Sequence, residues 1–280
     1  MEGRAGPGVL GGGLRYPKES LALYAFSWQF DGRCGYGELD GRPFKFCPPD
    51  ELHGDPEVAS KALGLHEDLD ELYEALKGDP LLGCVAERYW GLRPRALGIW
   101  EAAVVGIAQQ NASFKQAWSS LYKLHIIASK RINVFGKEYL RFPRPEEVDE
   151  RALKAAGFGY RAKFVTALKE ALRERPLTCS NVDSLKGVKG VGDYTLGLVK
   201  LFACRDYSAP VLDRWLKAVY EEAYGGLERY YEFGKWKGLV SLLTTVALDA
   251  VPLTRALERV RRGEVCPSEE PSPLTLWKYF

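Results

Sequence analysis

The stretch SLKGVKGVGDYTLGLVKLF, residues 184–202, combines residue types that can hold an anion. Gly190 and Gly192 flank Val191 in a turn, and an apolar-periodic helix begins near Asp193. Glycines permit backbone angles that a side chain would block. Their bare N–H groups, at the positive end of the following helix, can approach a phosphate to hydrogen-bonding distance. Val188, Lys189, Gly190 and Gly192 form the candidate phosphate-binding hairpin, with Lys186 as a second cation. No following strand supplies a dinucleotide-binding unit, so the pattern predicts helix, hairpin, helix.

Twenty-one residues beyond Gly192 comes SAPVLDRWLKAVY, residues 208–220. Pro210 ends an extended lead-in, and Asp213 stands at the start of an amphipathic helix whose Leu216, Val219 and Tyr220 face inward. An aspartate there is a good N-cap, worth about 1 kcal/mol. Beside a phosphate-binding hairpin it is also a carboxylate placed to offer negative charge to a sugar.

These elements need a scaffold, and the chain has the length for one. Its 280 residues, 46% hydrophobic and 27% charged, describe a globular chain with a substantial core. No stretch has the roughly 18 uninterrupted apolar residues of a membrane helix, and residues 1–18 lack the order of a signal peptide. The chain is expected inside a cell, with no membrane partner. Residues 1–80 carry 8 Lys+Arg against 15 Asp+Glu, whereas residues 111–217 carry 20 against 11, the charge footprint of a surface that meets a polyanion. One Met and seven Asn plus Gln resemble the depletion of thermolabile residues in thermophiles.

The predicted fold is mainly α with a small N-terminal antiparallel β element. Residues 1–13 read as a flexible Gly-rich tail, 14–55 as the β domain and 56–280 as the helical domain. Two or three strands run from Leu21, with turns at Asp31-Gly32 and Asp40-Gly41. From Pro56 the period is helical and no further strand is expected. Expected helices include 100–122, broken near Gln109-Gln110-Asn111, then 153–172, 195–204, 213–224, 233–249 and 253–262. Cys34, Cys47, Cys84, Cys179, Cys204 and Cys266 show no paired C-x-x-C pattern, which implies buried free thiols and neither zinc site nor disulfide framework. His53, His66 and His125 have no ligand-like spacing, which disfavours a metal-dependent hydrolase.

The hairpin VKGVGDYTLGL followed by PVLDRWLKAVY resembles the helix-hairpin-helix DNA glycosylase superfamily, with its L-P-G-[IV]-G hairpin and an aspartate about twenty residues on. Residues 79–113 and AGFGYRAKFVTAL, 156–168, resemble the 3-methyladenine and 8-oxoguanine branches, so that the likeness spans about 79–220. The resemblance implies excision of a damaged, alkylated or oxidised purine flipped from duplex DNA, with Asp213 as catalytic carboxylate. It implies a wedge from Asn111, with Gln110 close behind, and a base pocket containing Tyr194. Bifunctional members carry a lysine at the position of Tyr194, so the expected chemistry is hydrolysis without strand cleavage, by a monomer. An 8-oxoguanine glycosylase/lyase using Lys186 or Lys189 is the alternative, and a non-catalytic DNA-binding module the rival of another class. An aromatic at 194 resembles the alkylation branch, where a ring receives an electron-poor base; the GYRAKFV segment resembles the 8-oxoguanine branch. The superfamily's iron–sulfur version has four C-terminal cysteines; only Cys266 lies beyond Cys204 here, so no cofactor is expected.

Overall fold

The computed structural model describes residues 15–24 and 29–279. The expected tail lies outside the described residues, as does the middle of the expected first strand. The segment beginning that strand is instead helix α1, Glu19–Ala22, and only Gln29–Phe30 (β1) pairs. Strands β2 (Gly35–Leu39), β3 (Arg42–Cys47) and β4 (Glu51–Gly54) complete an antiparallel sheet in the order β1-β2-β3-β4. Asp40 and Gly41 both take positive φ, 53° and 75°, in the tight turn that joins β2 to β3. Alternation along β2 buries every second residue, and Phe44 and Phe46 of β3 are wholly buried.

Helix α2, Pro56–Leu63, follows at once. Asp55 caps it by accepting the N–H groups of Glu57 and Val58, Pro56 opens it and left-handed Gly64 closes it. Val58, Ala59, Ala62 and Leu63 share one apolar core with the sheet. The larger core belongs to the remaining helices: α3 (Asp70–Ala75), α4 (Gly83–Arg88), α5 (Ile99–Gln109) and α6 (Phe114–Ala128), the last begun by a Ser113–Gln116 capping box. The expectation of no later strand fails next. Strands β5 (Arg131–Val134) and β6 (Lys137–Leu140) form a hairpin lying against β2 and β3, through a Phe135-Gly136 turn that lacks the usual Asn-Gly signal.

The helix expected over 153–172 is two, α7 (Glu150–Ala155) and α8 (Ala162–Glu174), because Gly157 and Gly159 take positive φ between them. After a 3₁₀ turn at Val182–Gly187 come α9 (Asp193–Ala203), α10 (Arg214–Tyr224), α11 (Glu228–Glu232), α12 (Lys237–Ala247) and α13 (Leu253–Arg262). Helix α5 is buried along Glu101–Ala108 and packs chiefly on α9, which sets the hairpin against the middle of the larger core.

The expectation of free thiols is wrong. All six cysteines are paired, as Cys34–Cys47, Cys84–Cys266 and Cys179–Cys204, across 13, 182 and 25 residues. Each bridge joins segments brought together by the fold, and linear spacing cannot display such pairs. Cys179–Cys204 clips the approach to the hairpin onto the end of α9, while Cys84–Cys266 fastens the C-terminal segment to α4.

Candidate active site

The hairpin is built by two backbone bonds, Val188 N–H to Leu185 O (2.9 Å) and Val191 N–H to Val188 O (3.0 Å), while Val191 anchors it in the core. Its two glycines do different work. Gly190 has φ +90°, and a Cβ there would overlap the Phe164 ring, so no other residue fits. Gly192, the N-cap of α9, has φ −97° and ψ −176°, which any residue adopts, and a Cβ would meet nothing within 4 Å. Strain therefore explains Gly190 but not Gly192, contrary to the reading that both supply forbidden angles. What Gly192 provides is an uncapped helix start opening on free space.

The hairpin cations are also unequal. Lys186 is paired with the exposed carboxylate of Asp193 at 3.0 Å, whereas Lys189 is exposed and has no ion pair among the described residues. The Gln110-Asn111 turn sits beside them. Gln110 Nε2 donates to Gly190 O at 2.6 Å and to Thr195 Oγ1 at 3.1 Å, so its amide is committed to holding the hairpin. Asn111 stands exposed at positive φ, 49°, and donates from Nδ2 to the Tyr160 hydroxyl. Arg161 supports this turn from behind by donating to the carbonyls of Ala108 and Gln110.

Asp213 reaches its place because the loop before α10 lies close on two helices. Pro210 O lies so near Gly197 of α9, and Ala209 O so near Gly238 of α12, that a side chain at either glycine would collide with backbone. The Tyr230 hydroxyl accepts the Val211 N–H, and Gly238 N–H donates to Tyr207 O. Asp213 then caps α10, with Oδ1 accepting Leu216 N–H at 2.8 Å. Burial raises its carboxyl pKa above the ordinary 3.8, and the cap bond offsets this only in part.

That carboxylate forms part of the wall of a cavity of about 320 Å³, within the range of small-molecule sites. Rings of Tyr24, Phe114, Tyr194, Phe202 and Trp215 line it, with Leu198 and Val211. Tyr194 projects from the first turn of α9 and donates its hydroxyl to Gln109 Oε1 at 2.6 Å. Burial, reinforced by the negative charge of Asp213, holds that phenol protonated. Neither Lys186 nor Lys189 is among the residues lining the cavity. The structure thus brings Asp213 and Tyr194 together on one cavity, with Val188, Lys189, Gly190, Gly192, Gln110 and Asn111 in an adjoining turn-and-hairpin layer.

Sequence reasoning missed Gln109 as a lining residue, and it missed Tyr24, Phe114, Phe202 and Trp215. Their apolar periodicity is that of ordinary core positions, so only the fold reveals that they face a cavity. No group of His, Cys, Asp or Glu among the described residues could hold a metal ion. His125 is buried, with Nδ1 on Leu121 O, and burial lowers its pKa to about 4. No helix of the described residues is long and apolar enough to cross a membrane.

No protein-family model matches the sequence, and no curated protein does. Solved structures do. MBOgg1 in complex with a low-affinity DNA ligand superposes with a TM-score of 0.69 at 22% identity, over 87% of this chain and 97% of that one. The Clostridium acetobutylicum 8-oxoguanine glycosylase/lyase, bound to double-stranded DNA containing cytosine opposite the lesion, gives 0.65 at 19%, over 82% and 90%. The 3-methyladenine DNA glycosylase of Archaeoglobus fulgidus gives 0.66 at 18%, over 87% and 97%. The chain shares its fold with these three structures.

Proposed function

We propose that this chain is a DNA glycosylase that hydrolyses the bond between a damaged purine and its sugar, without cleaving the strand. The observation that carries this reading is a half-buried carboxylate, Asp213, on the wall of an aromatic cavity beside an uncapped helix start that faces open space. The α9 N-terminus and Lys189 would grip backbone phosphate, and Asn111 would fill the space left by the flipped nucleotide. The damaged base would lie among the rings, where an electron-poor base gains from aromatic faces.

As the bond from C1′ to the base nitrogen breaks, positive charge develops on the sugar. In a site of low polarity, the Asp213 carboxylate stabilises that charge strongly. The base departs with the bonding pair, water bonds to C1′ in its place, and the proton that this water loses balances the pair carried by the base. The carboxylate must be ionised to act. Its raised pKa places the acid limb of the rate profile above the ordinary aspartate range, with activity lost as pH falls through it.

Lyase chemistry needs an amine at the sugar, and the position in the first turn of α9 holds the phenol of Tyr194, with Lys186 tied to Asp193. A purely DNA-binding role would leave the cavity and its carboxylate without a use. Three disulfides in a protein that works on DNA suit the interior of a thermophilic prokaryote, the setting in which intracellular disulfides are common. With every cysteine in a bridge, we expect no iron–sulfur cofactor. The test is turnover on a lesion-bearing duplex in the presence of borohydride. The proposal predicts no trapped protein–DNA adduct and nicks only after alkali; an adduct lost in Lys189→Ala or Lys186→Ala would establish the lyase alternative.

A further inference from the structure

We propose that Gln109 is a specificity-determining residue that donates a hydrogen bond to the edge of the flipped base, selecting purines that carry a carbonyl at C6 over those that carry an amine at C6. This rests on the glycosylase reading of the same cavity. Gln109 ends α5 and is one of the few polar residues in the cavity wall. The others are engaged. Ser241 Oγ bonds to Lys237 O and the Tyr230 hydroxyl, Thr245 Oγ1 to Leu242 O, and Ser113 to Gln116.

Tyr194 fixes which way the Gln109 amide faces. A phenol held protonated in the cavity wall needs an acceptor, and the acceptor it has is Gln109 Oε1 at 2.6 Å. The amide oxygen is thereby occupied and the NH₂ group remains. Among the described residues Nε2 of Gln109 has no hydrogen-bond partner, which makes it an uncommitted neutral donor in a cavity wall that is mostly aromatic and aliphatic. A base presenting an acceptor there satisfies it. A base presenting an amine sets donor against donor and leaves both desolvated and unpaired. Asp213, the acceptor on the same wall, serves the sugar. Tyr194 is accordingly a positioning residue as well as a stacking face.

The test measures single-turnover release within matched pairs: 8-oxoguanine against 8-oxoadenine in defined duplexes, and 7-methylguanine against 7-methyladenine in methylated DNA. Wild-type protein should favour the guanine member of each pair it processes. Gln109→Met should lower that ratio about tenfold, the scale of one good edge contact. Gln109→Glu, which replaces the donor with an acceptor of the same shape, should invert it. Tyr194→Phe should lower it in the same direction by less, because the ring stays and the amide is freed. A ratio unchanged within twofold in Gln109→Met, or a wild-type preference for the adenine members, overturns the assignment and leaves the excision reading intact. Release of no base from any substrate by wild-type protein overturns the excision reading, and this assignment with it.

Discussion

Helices α9 and α10 begin with nearly the same backbone. The N-cap of α9 is Gly192 at φ −97°, ψ −176°, and that of α10 is Asp213 at φ −98°, ψ −177°. One has no side chain and opens on free space; the other turns a carboxylate back onto its own Leu216 N–H and borders a cavity. Equal dipoles are thus put to opposite uses. The bare cap leaves its positive end available to an anion from outside, while the acidic cap neutralises that end and keeps a negative charge beside the cavity. Backbone geometry sets up both sites, and the single side chain at the cap decides which charge each site welcomes.

Exchanging charge at the acidic cap should have the largest effect. Asp213→Asn retains a capping oxygen but removes the charge, so base release should fall about a thousandfold while duplex affinity is kept or improved. Its effect on stability has a definite sign. Burial raises the folded pKa of Asp213 above the unfolded value, so this group favours the fold at low pH and opposes it once ionised at neutral pH. The melting temperature of Asp213→Asn at pH 7 should therefore rise above that of the parent, an advantage that shrinks as pH is lowered; a fall in thermal scans at pH 7 would show that the cap bond outweighs the buried charge.

The two hairpin glycines sharpen the contrast next. Gly190→Ala must hold an alanine at φ +90° against Phe164 and should lose about 1–3 kcal/mol from the backbone conformation alone, visible as a lowered denaturation midpoint. Gly192→Ala should leave stability within about 0.5 kcal/mol, since its Cβ meets nothing. Its loss should appear instead in DNA binding, weakened about tenfold on damaged and undamaged duplexes alike. Equal stability losses for the two would erase the distinction between a fold-bound and a ligand-facing glycine. The smallest effect belongs to Lys189→Ala, with affinity two- to threefold lower at moderate salt and a salt-dependence slope reduced by about one.

Much of this pair of helix starts is legible in the sequence, because local signals write it. Gly190-Val191-Gly192 ahead of an apolar-periodic run, and Pro210 ahead of Asp213, fix where α9 and α10 begin, and Leu216, Val219 and Tyr220 are buried as their spacing requires. Features that depend on distant partners are not legible. The cysteine bridges join residues up to 182 positions apart, and the β5–β6 hairpin turns through Phe135-Gly136 without a recognisable turn pair. The cavity escapes for a similar reason. Tyr24, Phe114 and Trp215 lie far apart in the chain, and in the sequence each reads as an ordinary apolar core position. Gln110 shows the limit most clearly: it stands next to Asn111 in a polar run, and only the fold reveals that its amide is bound to Gly190 O while Asn111 is left exposed.

In the proposed reaction the carboxylate cap acts on the sugar of a nucleotide held by the bare cap. Its most direct test is identification of the product released from duplexes that each contain one alkylated or oxidised purine, with wild-type and Asp213→Asn proteins side by side and duplex affinity measured on the same substrates. Wild-type protein should yield the free base and an intact abasic strand that breaks only in alkali, whereas Asp213→Asn should bind the same duplex and release almost nothing. Free base released at near-normal rate by folded Asp213→Asn protein would contradict it.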